Sequence, residues 1–190
     1  MDPKKLRKQY MQVVPKLKHA MQYVQSQLSD LPPSDFELQT NIKPYPSVKR
    51  KMEADRVKDP AELSDLVRGR LFFSPQFQHE DVLDILHQLF GKKIAKIDKH
   101  MDRSTEHGLE YHGIIHLDLD CDGVHFELQL MPQEFKPFKE FLHQIYDKFR
   151  NPKSLDKLSD KQKTFLRKTH NNLYKKINQQ AHTNRASDLW

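Results

Sequence analysis

Between residues 111 and 131 the chain sets His116, Asp118, Asp120, His125, Glu127 and Gln129 at alternate positions on either side of Asp122-Gly123. Carboxylates and imidazoles gathered on one face can hold a divalent cation or move a proton. Ile115, Leu117, Leu119, Val124, Phe126, Leu128 and Leu130 take the opposite face, because strand side chains repeat every second residue. Asp-Gly suits the positive φ angles of a tight turn, so the stretch predicts an antiparallel hairpin. With Asp122 and Gly123 as the loop, Asp118 lies opposite Glu127, and like charges across a ladder repel by roughly 0.2–1 kcal/mol. A cation or a proton would relieve that repulsion. With the loop at Cys121-Asp122, His116 meets Glu127 instead and no cation is needed. A face that simply meets water accounts for the alternation equally well.

A second group of polar residues is basic. Lys43, Lys49, Arg50 and Lys51 surround Ser47, which is suited to cap a short helix. Free amides and the positive dipole end of a helix, joined by full charges, attract phosphate. An exposed basic turn explains the same residues. Asp65 and Arg70 lie near the ends of a buried strand expected at residues 67 to 73. Glycines occur only at 69, 91, 108, 113 and 123, so there is no glycine-rich phosphate loop, and Lys and Arg side chains must hold any phosphate. His112 and His116 are four apart within a strand-like run, which is not zinc-binding geometry. The single cysteine, Cys121, excludes an internal disulfide and suggests a reducing, cytoplasmic setting.

Positioning these groups requires a sheet with helices around it. Leu6, Tyr10, Val13, Leu17, Met21, Val24 and Leu28 recur at helical spacing, with Pro15 expected to break or kink that helix. Residues 29 to 35 read as a loop, and Asp59-Pro60 opens a short helix through Leu66. Val82, Ile85, Leu86, Leu89 and Phe90 form a helix that Gly91 terminates. Residues 93 to 101 alternate weakly as a strand, and 102 to 110 read as polar and mobile. After the hairpin come a helix bearing Phe138, Phe141, Leu142, Ile145 and Phe149 and a last helix from Leu155 to Ile177, with disorder expected beyond Ala181. The fold class is α/β (α+β): a mixed β-sheet of about four to five strands packed with helices. A basic helical segment (1–35), a catalytic-type domain (36–150) and a basic helix with its tail (151–190) divide the 190 residues.

Charge is uneven along the chain. Residues 1 to 23 hold six Lys/Arg against one Asp, and residues 151 to 185 hold nine against two, while the middle is net acidic. Basic flanks can grip a polyanion, and solvated lysine-rich helix faces look the same. No apolar run approaches membrane-spanning length and no secretory segment opens the chain, so no membrane partner is expected.

Five pieces in order resemble the RelA/SpoT-type alarmone synthetase domain across residues 41 to 146. They are Ser47-Val48-Lys49-Arg50-Lys51-Met52, Lys58-Asp59, Asp65-Leu66-Val67-Arg68-Gly69-Arg70, Tyr111-His112-Gly113-Ile114-Ile115-His116 and Glu127-Leu128-Gln129. The resemblance implies a nucleotidyltransferase-like synthetase fold and magnesium-dependent transfer of pyrophosphate from ATP to the 3′-hydroxyl of a guanosine nucleotide. It implies that Asp65 binds metal and that Glu127 holds metal or activates the hydroxyl, with Gln129 also in the catalytic group. Lys43, Ser47, Lys51 and Arg70 resemble the triphosphate-binding set. Tyr111 resembles the aromatic that stacks on the acceptor base, with His116 beside it and His143 and Tyr146 on the next helix.

The pattern also departs from the family. Asn41 stands where an arginine stacks on adenine, Met131-Pro132 replace an Arg-Thr pair, and His112 and Glu110 replace the arginine and glycine around Tyr111. One extra residue precedes His116, and without it His112 would take the stacking place. Two classes of function follow. One is an enzyme whose acceptor is a guanosine nucleotide, a related nucleotide or a tRNA 3′ end gripped by the basic flanks. The other is an inactive domain that binds RNA or protein.

Overall fold

A computed structural model describes residues 3–63 and 65–187 of the chain. In chain order the elements are α1 (Pro3–Leu28), β1 (Phe36–Ile42), α2 (Tyr45–Asp55), β2 (Val67–Phe73), α3 (His79–Phe90), β3 (Ile94–Ser104), β4 (Glu110–Asp120), β5 (His125–Pro132), α4 (Lys139–Arg150), α5 (Pro152–Leu155) and α6 (Asp160–Ser187). The five strands form one mixed sheet in the order β1-β2-β5-β4-β3. Only the β2–β5 pair is parallel.

Alternation along the strands gives the sheet two unlike faces. Val67 and Leu71 of β2, Ile115, Leu117 and Leu119 of β4 and Phe126, Leu128 and Leu130 of β5 form one core with α1, α2 and α3. On the other face only one end is apolar. There Phe72, Ile114 and Met131 pack with Phe135, Leu142 of α4, and Tyr174 and Ile177 of α6. The remaining polar end of that face is left open by α4 and α6.

Several local expectations change. Helix α1 runs through Pro15, which is exposed, while Leu17, Ala20 and Val24 bury against the sheet and offset the lost hydrogen bond. Ser47 is not the cap of α2. Pro44 occupies that place in an extended conformation, and Pro46 sits in the first turn, where no intrahelical donor is required. The helix expected from Asp59 to Leu66 shortens to a 3₁₀ turn at Pro60–Glu62, with Asp59 Oδ1 accepting from the Ala61 amide at 2.9 Å. The last helical stretch divides, and Ser159 and Gln162 cap α6 reciprocally. Helix α6 then continues to Ser187, past the point where disorder was expected.

Residues 102–110 are not a mobile loop. They supply the end of β3, the start of β4 and a turn in which the Thr105 amide donates to Leu109 O at 2.9 Å. From α6, Asn171 Nδ2 and Arg167 Nε donate to the carbonyls of Gly108 and His107 at 3.0 and 2.8 Å. Strand β1 was absent from the sequence reading, although Phe36, Leu38 and Ile42 alternate with Glu37, Gln39 and Asn41. Among the described residues no helix is long and apolar enough to cross a membrane.

Within β4, Gly113 departs from extended backbone. Its φ of +69° lies in the left-handed region, and Tyr111 and Ile114, an odd number of positions apart, both reach the same cleft. The Gly113 carbonyl faces His79 Nε2 at 2.9 Å, and a Cβ on Gly113 would run into Asn178 Oδ1 of α6. Gly113→Ala is therefore expected to cost about 1–3 kcal/mol. A lowering of Tm by roughly 2–12 °C in a thermal melt would show it.

Candidate functional site

Two rows of polar side chains cross the open face. The first joins Asn41, Arg68, Glu127 and Asp118 as successive partners on β1, β2, β5 and β4. The second, two residues along, joins Gln39, Arg70, Gln129 and His116. Asp122 and Gly123, with φ of 57° and 81°, form the hairpin loop, so Asp118 does lie opposite Glu127. Imidazoles flank both acids. His125 Nδ1 stands 3.4 Å from Asp118 Oδ1, and His116 Nδ1 stands 4.0 Å from Glu127 Oε2.

Arg68 and Glu127 of the first row and Arg70, Gln129 and His116 of the second floor an open cleft of about 310 Å³. Of the residues singled out in the sequence, Asp65, Arg70, Tyr111, His116, Glu127, Gln129 and His143 line it. Lys43 and Lys51 stand behind Asp65, each paired with one of its oxygens, the Lys51 contact being 2.9 Å. Lys43 is held firmly: it is 8% exposed, its amide donates to Leu66 O at 2.8 Å, and its carbonyl accepts from the Tyr10 hydroxyl at 2.8 Å. Ser47 and His112 do not line the cleft. Ser47 Oγ accepts from Arg50 at 3.2 Å, and His112 Nε2 meets Glu110 Oε2 at 3.3 Å.

Other cleft residues escaped the sequence reading. Lys139 and Arg150 were missed although, with His143 and Tyr146, they repeat at helical spacing along one face of α4. Arg68 was missed although it shares the parity of Arg70 on β2. Tyr174 had no local signal, because only the docking of α6 brings it to the wall.

The two carboxylates are in different electrostatic situations. Burial pushes the Asp65 carboxyl up, but Lys43 and Lys51 outweigh that and hold it below the usual range. Burial raises Glu127, the negative charge of Asp65 raises it further, and Arg68, Gln129 and Lys51 only partly oppose this. Asp65 is thus the settled anion and Glu127 the carboxyl that more readily carries a proton, a division suited to acid–base work. Gln129 Nε2 donates to Glu127 Oε1 at 2.8 Å and its own Oε1 accepts from Arg70 Nε at 3.2 Å, which fixes both side chains.

The other end of the cleft is aromatic. Tyr111 meets Tyr146, His170 and Tyr174 edge-on, with centroids 6.1, 5.3 and 5.3 Å away. The Arg150 guanidinium lies 6.0 Å from the Tyr146 ring centroid. Such a wall can receive a planar base, while the cations toward β2 can receive phosphate.

Among the described residues no group of three or more His, Cys, Asp and Glu could hold a metal ion. A magnesium ion needs only one or two protein carboxylates when phosphate and water complete its shell. Asp65 and Glu127 have that chemistry, and a divalent cation shared between them would relieve the repulsion that raises Glu127. The donor set fits magnesium.

No family model and no curated protein sequence matches the chain. Solved structures do. Small alarmone synthetase 1 from Bacillus subtilis bound to its product pppGpp is 17% identical, with a TM-score of 0.61 over 94% of this chain and 93% of that one. A GTP pyrophosphokinase family protein from Streptococcus pneumoniae is 17% identical, with a TM-score of 0.58 over 97% and 93%. The Type VI effector Tas1 complex with its immunity protein also matches, at 14% identity and a TM-score of 0.59 over 94% and 99%. The α+β fold of this chain is that of the small alarmone synthetases.

Glu127 gives a signed dependence of stability on pH. Its folded pKa is raised, so above the unfolded value near 4.3 the folded state holds a proton that the unfolded state has lost, and stability falls as pH rises to the folded value. Glu127→Gln removes that loss. The variant is expected to melt above the parent at pH 7.5, with the gap narrowing as pH is lowered toward 4.

Proposed function

We infer that this chain, with its small alarmone synthetase fold, transfers pyrophosphate from ATP to the 3′-hydroxyl of a nucleotide, a guanosine nucleotide first among acceptors. The observation that carries the reading is the convergence of Asp65, held low by its lysines, and Glu127, raised by burial and by Asp65, on one cleft lined by Arg68, Arg70, Lys139 and Arg150. A synthetase from Bacillus subtilis solved with AMPCPP shares the fold at 15% identity and a TM-score of 0.52, over 98% of this chain and 97% of that one.

In this reading the acceptor 3′ oxygen bonds to the β-phosphorus of ATP as the bond from that phosphorus to the oxygen shared with the α-phosphate breaks. AMP leaves, and the hydroxyl proton passes to Glu127. Gln129 keeps Glu127 aimed at the hydroxyl. Lys43 and Lys51 exchange Asp65 for phosphate oxygens as the triphosphate arrives, and Arg70 meets the charge that develops on transfer. Asp65 and Glu127 would hold the magnesium ion, which would supply positive charge against the phosphates. Tyr111, with Tyr146 and His143, receives the acceptor base. Ser47 and His112 take no part in it.

One observation favours a binding role in addition. Outside the cleft, Phe165 is 68% exposed in a groove with Leu158, Lys148 and Lys161, an aromatic among cations that suits single-stranded RNA such as a tRNA end. Steeply salt-dependent RNA binding without ATP consumption would put that role first.

Labelled ATP supplied with GDP, GTP or tRNA in turn, and separated by thin-layer chromatography, tests the reading. A pyrophosphorylated acceptor and AMP are expected, with Glu127→Gln slowing turnover about 10²–10⁴-fold. Product from none of the acceptors, or undiminished turnover in the variant, would overturn it. Tyr111→Leu should raise the acceptor KM about tenfold through lost stacking, whereas His112→Ala should leave it within about twofold.

A further inference from the structure

Arg68 is a cleft cation beside Glu127, its partner on β5, whose raised carboxyl it partly opposes. It lines the cleft and makes no ion pair among the described residues. Its Nε donates to the neutral Oδ1 of Asn41, its neighbour on β1, at 3.2 Å. That bond fixes one edge of the guanidinium and leaves its terminal NH₂ groups for a ligand. Lys43 and Lys51, by contrast, are already engaged by Asp65.

Arg70 stands two residues along the same strand and face, roughly 7 Å away by strand rise. It too makes no ion pair among the described residues, and its Nε is held by neutral Gln129. Burial lowers the Arg70 pKa and the charge of Arg68 lowers it further, so the two guanidinium groups are kept together against their repulsion. An anion carrying several negative charges would reverse that cost. Guanidinium groups pair bidentately with phosphate oxygens, and two at this spacing match a polyphosphate chain better than a single phosphate.

We propose that Arg68 binds the polyphosphate of the donor nucleotide and that Asn41 is its positioning residue. This rests on reading the cleft as a nucleotide site. It gives Asn41 a use of its own: from β1 it braces a guanidinium carried on β2.

Calorimetric titration of the full chain with inorganic tripolyphosphate and with a non-hydrolysable ATP analogue tests the assignment, with thermal melts confirming that each variant is folded. Arg68→Ala is expected to weaken both ligands about tenfold or more, and Arg68→Lys to recover only part of the loss, since an ammonium supplies charge without the fork. Asn41→Ala should weaken both by a smaller factor and have no further effect in the Arg68→Ala background. A wild-type protein that binds neither ligand, or an Arg68→Ala variant within threefold of it, would overturn the role of Arg68. An Asn41 effect that persists in full without Arg68 would overturn the brace. Tripolyphosphate binding that depends on Arg68 in a protein that transfers no pyrophosphate would uphold this assignment and defeat the proposed reaction.

Discussion

Parallel pairing of β2 with β5, in the register that sets Arg68 beside Glu127 and Arg70 beside Gln129, determines which charges meet in the cleft. The register is held from the opposite face, where Val67, Leu71, Leu128 and Leu130 are buried in the main core. A slip of one residue would carry every polar group into that core and every aliphatic group into the cleft, so the packing of α1 and α3 on one side protects the chemistry on the other. Gly69 belongs to the same constraint. A Cβ there would stand 3.1 Å from Phe126 and Leu128, closer than the pair of strands allows without adjustment.

The cleft that results is divided by character. Toward β1 and β2 it is cationic around a pinned anion, and toward α4 and α6 it is aromatic. Both lysines behind Asp65 are satisfied by it, which keeps a half-buried carboxylate ionised without emptying the site of positive charge. Cys121, buried beside the turn with its thiol pushed up to about 11, stays outside this chemistry.

Much of this was legible in the chain, and the failures have physical causes. The hairpin declared itself because both faces of its alternation from Ile115 to Leu130 are clean: apolar residues on one side, polar and charged ones on the other. Strand β1 was hidden because its buried side is punctuated by Thr40 and its neighbours are prolines, which draw attention to turns. Pro15 misled because propensity was weighed without the tertiary burial of Leu17, Ala20 and Val24 that overrides it. Asp65, Arg70, Tyr111, His116, Glu127, Gln129 and His143 could be chosen by motif and do converge on the cleft. The choice between Tyr111 and His112 could not be made by counting, because the positive φ of Gly113 changes the parity of the strand. Arg68 and the α4 stripe were readable by period alone, whereas Tyr174 depends on a contact some sixty residues distant along the chain.

Helix α6 therefore does more than carry positive charge. Tyr174 completes the cleft wall, Asn178 abuts Gly113, and Asn171 and Arg167 hold the turn that joins β3 to β4. All four residues follow every strand of the sheet in the chain. The cleft wall is thus closed by residues that come after every strand it closes upon, and a chain cut before α6 would keep the sheet's sequence while losing Tyr174 and the partners of the β3–β4 turn.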